Sequence, residues 1–217
     1  MKKLSILILT HNRPLLFKRC INSVLRNLPN YEIEILVNND TNDIKEIYSD
    51  KVSIKYFYKI YNDISKIYSF LFKKSKGEFI YYLEDDDYIK NNFFKEIDFN
   101  FDINFFNYCS NSILKNYNSK YFINRFLLKN KKFKNVNNLD NFISIYDNRD
   151  FQLSQIIFKK NKLKKIPKGN NIDNDYKLFK SLSPASIKYN NKTLYVQTTD
   201  GNDNISFKEY NKDERFC

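Results

Sequence analysis

Lys76-Gly77-Glu78-Phe79-Ile80-Tyr81-Tyr82-Leu83-Glu84-Asp85-Asp86-Asp87 carries the two signals that decide the fold. Phe79 to Leu83 is apolar or aromatic at every position, the pattern of a strand buried on both faces in a parallel sheet. Four acids follow at once. Like charges this close repel one another and resist burial. The run is therefore either a fully solvated turn or a shell for a divalent cation with oxygen ligands. In an open α/β sheet, ligands bind beyond the carboxyl ends of the strands, and a strand running straight into these acids puts them there.

Working outward, Leu4 to Leu9 reads as a first buried strand. Pro14 then opens an amphipathic helix with Phe17, Cys20, Ile21, Val24, Leu25 and Leu28 on one side, and Pro29 closes it. Cys20 is a small core residue in this reading. Ile33 to Val37 is a second strand, Asp43 to Tyr48 a short helix, Val52 to Phe57 a third strand, and Ile64 to Phe72 a helix before the acid-tipped strand. Strands alternating with helices across short connections predict a parallel sheet of βαβ units. Beyond Asn91 the pattern loosens up to about Asn137. Order resumes near Leu139, with a strand at Phe151 to Phe158, a short helix at Asp175 to Leu182 and a final strand at Lys192 to Gln197.

At 217 residues, with 42% hydrophobic and 17% aromatic content, the chain fits one domain with a real core and is not of disordered composition. The net charge of +12 is uneven. Lys115, Lys120, Arg125, Lys129, Lys131, Lys132 and Lys134 meet no intervening acid, and Lys159 to Lys168 is a second such stretch. Aromatics interleave the first run, which suits an anionic membrane surface, a charged acceptor or nucleic acid; a solubilising lysine surface is the plainer account. Cys20, Cys109 and Cys217 are odd in number and lack metal-type spacing, which fits a reducing, cytoplasmic setting rather than a disulfide framework or zinc site. Leu4 to Leu9 is too short for a signal-peptide core, and no segment approaches a membrane span, so any membrane contact is expected to be peripheral, on the inner face of the cytoplasmic membrane.

Four stretches, in order, resemble the inverting glycosyltransferases of family 2. Thr10-His11-Asn12-Arg13-Pro14, after the first strand, is similar to the loop that cradles the nucleotide base. His11 stands at the aromatic position and would either stack on the base or cap the loop. Asn38-Asn39-Asp40-Thr41-Asn42-Asp43 resembles the second nucleotide loop, with Asn38 and Asn39 where the family usually carries two acids. A carboxylate only accepts a hydrogen bond from uracil N3–H whereas an amide accepts or donates, which loosens the link to uridine without removing it. Lys76 to Tyr88 resembles the family's strand and Asp-x-Asp metal motif. Aligning Leu83 pairs Glu84 with Asp86, and a search for two aspartates pairs Asp85 with Asp87. The resemblance puts the metal on Asp86, with Asp87 the further candidate, and directs Glu84 or Asp85 to the ribose or a metal-bound water. The preceding helix lacks the family's Arg-Asn pair near Tyr68 and Ser69, leaving Lys66 to supply the cation. Asn174-Asp175 resembles the helix start that normally reads Glu-Asp, which gives Asp175 the base position and leaves Asp173 as a rival for the preceding acid. Near Asp200 and Asp203 many relatives place a metal-binding histidine that this chain lacks.

The resemblance implies a GT-A fold: α/β, a Rossmann-like, mostly parallel sheet flanked by helices, with a smaller mixed acceptor-side region. It implies one domain over residues 1–217, with a nucleotide-binding half at 1–90 and an acceptor-binding half at 91–217. The expected activity moves a hexose or N-acetylhexosamine from a nucleoside-diphosphate donor, UDP by default, to a saccharide or lipid-linked acceptor with Mn²⁺ or Mg²⁺. The chemistry suits the residues. Negative charge gathers on the departing diphosphate and a hard cation stabilises it, while attack from the opposite face needs a carboxylate to take the acceptor's proton. Without the resemblance, Asp175 reads as an acid favoured by a helix N-terminus. A nucleotidyltransferase would share the architecture but usually opens with a glycine-rich loop, and Thr10 to Pro14 contains no glycine. A basic nucleic-acid-binding protein is the third alternative; nucleic acid is not the expected partner, because carboxylates in the main crevice repel phosphate.

Overall fold

The computed structural model describes residues 3–41, 44–60, 64–110, 138–145, 152–167 and 174–198. Among them, eight strands form one sheet in the order β3-β2-β1-β4-β7-β6-β8-β5. The strands are β1 (Leu4–Thr10), β2 (Ile33–Asn39), β3 (Ser53–Phe57), β4 (Phe79–Glu84), β5 (Tyr88–Ile89), β6 (Ile103–Ser110), β7 (Ile156–Lys159) and β8 (Ile187–Gln197). The helices are α1 (Pro14–Leu25), α2 (Ile64–Lys74), α3 (Leu139–Ile145) and α4 (Asn174–Ser181). β1 pairs in parallel with β2 and with β4, and β2 with β3. β7 runs antiparallel between β4 and β6, so the sheet is mixed beyond β4.

Strict alternation along the buried strands assigns the two faces. Ile6, Ile8, Ile35, Val37, Tyr81 and Leu83 pack with Phe17, Cys20, Ile21 and Val24 of α1. Leu7, Leu36, Ile80 and Tyr82 point the other way, to Leu71 of α2, Phe142 of α3 and Phe179 of α4. Residues covered on both faces must be apolar throughout, which is why these strands read as continuous hydrophobic runs.

At the amino end of β4 the backbone runs very close to β1. A Cβ on Gly77 would lie 2.5 Å from the Ser5 amide nitrogen and 2.7 Å from the Leu4 carbonyl carbon. Gly77 N–H donates to Ser5 Oγ (2.8 Å), and Ser5 Oγ donates to the buried Glu34 carboxylate (2.6 Å). Only glycine admits this approach.

Several expected elements differ. Residues 44–48 form no helix: the Tyr56 hydroxyl takes Ile47 N–H (2.7 Å) and donates to Ile47 C=O (2.8 Å), occupying the groups a helical turn would pair. Of the strand expected over Phe151 to Phe158, Phe151 lies outside the described residues, Leu153–Gln155 form a 3-10 turn, and the strand runs only from Ile156. β8 starts five residues earlier than the sequence pattern suggests, at Ile187. The basic run from Lys115 to Lys134 lies outside the described residues, as do Lys168, Asp173, Asp200 and Asp203.

Candidate active site

β1 pairs with β2 on one side and β4 on the other, so the chain reverses its direction of winding there, and the crevice beyond these strand ends is where such sheets bind ligands. The register levels the ends: Thr10 lies opposite Asn39, and Leu9 opposite both Asn38 and Glu84. Beyond β1, Asn12 takes a left-handed conformation (φ 50°) and its N–H donates to Thr41 Oγ1 (3.1 Å). That bend delivers Arg13 to the first turn of α1, where Pro14 starts the helix and the Arg13 carbonyl accepts from Phe17 N–H (2.9 Å).

The four acids of β4 do not behave alike. Arg13 Nη1 sits 3.0 Å from Asp85 Oδ1 and 3.0 Å from Asp86 Oδ2. Asp87 is fully buried and turned to β8, accepting from Thr198 N–H (2.8 Å) and from the Tyr195 hydroxyl. Arg19 donates to the Asp86 carbonyl (2.5 Å) and to Thr198 Oγ1 (2.8 Å), holding the turn from outside. One oxygen each of Glu84, Asp86 and Asp87 lies within 4.8 Å of the others.

Burial, followed by repulsion from Asp87 and Asp86, raises Glu84 well above the usual carboxylate range. Burial and then Asp86 do the same to Asp87, against the opposing Tyr195 and Thr198 hydrogen bonds. Asp85 is pushed up to about 6, chiefly by burial, with Arg13 opposing. Among the described residues the cluster is thus short of positive charge. Its hard oxygen donors, with no sulfur or imidazole among them, fit Mg²⁺ or Mn²⁺.

Asp175 reaches the same place from α4. Its carboxylate accepts from Leu153 N–H (3.2 Å), and the next residue, Ser154, accepts from Glu84 N–H through its hydroxyl (3.1 Å). The 3-10 turn at Leu153–Gln155 therefore ties the α4 acid to the end of β4. Asp175 is pushed up to about 6 by burial. The Tyr68 hydroxyl of α2 is raised by burial and then by the charges of Glu84 and Asp175. Lys66 is exposed on α2 and makes no ion pair with a described residue.

The second loop is fixed by its amides. Asn38 donates to Lys59 C=O (3.0 Å) and accepts from Lys59 N–H (3.1 Å), clamping the chain after β3. Asn39 Oδ1 accepts from Thr41 N–H (3.3 Å), so the amide nitrogen faces away, buried and without a partner among the described residues. His11 Nδ1 pairs with Asp40 (2.8 Å), bridging the two loops while its ring stays exposed. Ser154, Arg19, Tyr195, Thr198 and Asp40 are members of the site that sequence reasoning did not assign a role. Of these, Asp40 falls in the second nucleotide loop quoted for the resemblance, and Thr198 lies two residues before Asp200.

Residues 5–152 match the model of the Glycosyl transferase family 2, and the chain belongs to that family. An uncharacterized glycosyltransferase of Mycoplasma genitalium, MG060, is 32% identical over 96 residues, covering 39% of this chain and 32% of that protein. Among solved structures, S. aureus TarS 1-349 in complex with UDP-GlcNAc superposes with a TM-score of 0.70 at 20% identity, covering 94% of this chain and 60% of that one. The mannosyltransferase PcManGT from Pyrobaculum calidifontis, in complex with GDP-Man and Mn²⁺, gives 0.60 at 9% identity, covering 90% and 56%. The fold is GT-A. The chain spans 32% of the curated relative's length and 60% of the TarS fragment's. No helix among the described residues is long and apolar enough to cross a membrane.

Proposed function

We propose that this chain transfers a sugar from a nucleoside-diphosphate donor to an acceptor hydroxyl in a single, inverting displacement. The observation that carries the proposal is the meeting of two acid groups, Glu84-Asp86-Asp87 at the end of β4 and Asp175 at the start of α4, held together by Leu153 and Ser154. Glu84, Asp86 and Asp87 would hold Mn²⁺ or Mg²⁺, which as a Lewis acid supplies charge stabilisation for the departing diphosphate. Asp175 takes the acceptor's proton. Its raised pKa of about 6 leaves it ionised at neutral pH yet a better base than an ordinary aspartate. Thr10, Asn12, His11 and Arg13 line the donor side. The buried amide nitrogen of Asn39, which has no partner among the described residues, suits a carbonyl of the base, which uracil offers.

The donor we propose first is UDP-N-acetylhexosamine or UDP-hexose, and the acceptor a saccharide or lipid-linked saccharide. The likeness of the fold to a UDP-GlcNAc complex supports the former. A thermal-shift screen of nucleotide sugars with and without Mn²⁺ tests this, since a true donor stabilises the folded state by mass action. The expected result is a metal-dependent shift with one sugar nucleotide, lost in Asp86→Ala. Stabilisation by nucleoside triphosphates with pyrophosphate release, or metal-independent RNA binding with no sugar-nucleotide response, would overturn it.

A further inference from the structure

The arginine that touches the acids raises a question the transfer reaction does not answer. Arg13 Nη1 bridges Asp85 and Asp86 at 3.0 Å each, with side-chain exposures of 15%, 6% and 5% for the three residues. Asp86 also belongs to the oxygen group with Glu84 and Asp87. A divalent ion on that group and a guanidinium on the same carboxylate repel each other, and in a buried site little water lies between to screen them. The Arg19 guanidinium donates to the Asp86 carbonyl and to Thr198 Oγ1 and lies 5.3 Å from the Tyr88 ring, so it holds the backbone of the turn, while the described contacts to the Asp85 and Asp86 carboxylates come from Arg13. Metal entering alone would therefore leave Arg13 facing a cation in place of an anion. Metal entering with a diphosphate brings the guanidinium a new partner whose oxygens suit its planar fork.

We propose that Arg13 is a resident counter-cation that pairs with Asp85 and Asp86 and transfers to the donor's diphosphate when the divalent ion arrives, so that ion and nucleotide bind together and poorly apart. This rests on the transferase reading above. It makes Arg13 a positioning residue whose two sets of partners couple the two ligands. By linkage, nucleotide strengthens metal binding by the same factor as metal strengthens nucleotide binding.

The test is Mn²⁺ binding to the full chain by electron paramagnetic resonance, alone and with saturating UDP or GDP, for wild type, Arg13→Gln and Arg13→Lys. Wild type is expected to bind Mn²⁺ weakly alone and at least about fivefold more tightly with nucleotide. Arg13→Gln should bind Mn²⁺ alone at least about fivefold more tightly than wild type, and UDP or GDP about tenfold more weakly in the presence of Mn²⁺. Arg13→Lys keeps a charge but not the fork, and should bind Mn²⁺ alone about twofold more tightly. Melting curves without ligand check that each variant is folded; if Arg13→Gln does not fold, Arg13→Lys decides. Nucleotide-enhanced Mn²⁺ binding in wild type with identical Mn²⁺ affinity and coupling in the folded variants would overturn the role of Arg13 and leave the transferase reading standing. Failure of every protein to bind Mn²⁺, with or without nucleotide, would overturn both.

Discussion

Asp175→Asn separates the role proposed for this residue, proton acceptor, from its standing as a buried charge. The carboxyl is held at about 6, against 3.8 for an ordinary aspartate, by burial that its hydrogen bond from Leu153 N–H only partly offsets. A rise of that size means the ionised form costs the folded state about 3 kcal/mol at pH above both values. That figure is already net of the favourable placement of a negative charge at the start of α4, and burying the neutral amide of asparagine in its place costs about 1 kcal/mol. Asparagine keeps an oxygen for Leu153 and carries no charge, so the variant should be about 2 kcal/mol more stable than wild type at pH 7.5. Because the folded pKa lies above the unfolded one, the folded chain keeps its proton longer on raising the pH. The penalty is nearly absent at pH 4, grows from about 4 to 6 and is constant beyond. The stability advantage of asparagine should therefore vanish near pH 4. Urea unfolding of both proteins at pH 4 and 7.5 measures it. The same variant should bind donor normally and lose about 10²- to 10⁴-fold in kcat, and wild-type kcat/KM should rise through a limb near pH 6 that the variant lacks. A variant less stable than wild type at pH 7.5, a stability difference independent of pH, or an unchanged transfer rate would refute the assignment.

Three further outcomes test the frame around the site. Gly77→Ala forces a methyl group to within 2.5 Å of the Ser5 backbone, so β1 and β4 must part and unfolding free energy should drop by about 1–3 kcal/mol, read from urea midpoints. Asn38→Asp restores an acid usual in the resembling loop, yet it removes the donor to Lys59 C=O and leaves a buried carboxylate; a loss of about 1–3 kcal/mol is expected, and equal stability would show that the Lys59 clamp contributes little. Tyr195→Phe takes one donor from the fully buried Asp87, and should weaken metal-dependent donor binding in titration calorimetry while leaving the far-ultraviolet circular dichroism spectrum unchanged.

The half of the sheet up to β4 was legible because its strands are covered on both faces and its helices begin at clear signals such as Pro14. β6 was hidden by its own interior. Asn104 and Asn107 break its apolar run, yet both are buried, and Asn104 pays out its amide to the Asp98 backbone through N–H and C=O together. Composition shows the two asparagines as polar, and only the fold shows that their hydrogen bonds are met internally. The helix expected at 43–48 failed for a related reason, since Tyr56, nine residues on from Ile47, supplies a hydroxyl that competes for its backbone.

The acid run announced the site but not its division of labour, which depends on partners far along the chain. Asp85 and Asp86 meet Arg13 across 72 and 73 residues, and Asp87 meets Tyr195 and Thr198 across 108 and 111. Local sequence gives all four acids the same environment. The fold gives them four, because the loop between β1 and α1 brings an arginine to one side of the turn, and β8 with the residue after it brings a hydroxyl and an amide to the other. An anion cluster that repels itself is tolerated here because each neighbouring element answers one part of its charge and leaves a remainder directed at the crevice. That remainder, with Asp175 set beside it by the Leu153–Ser154 turn, is what a cation-bound diphosphate and an acceptor hydroxyl would complete.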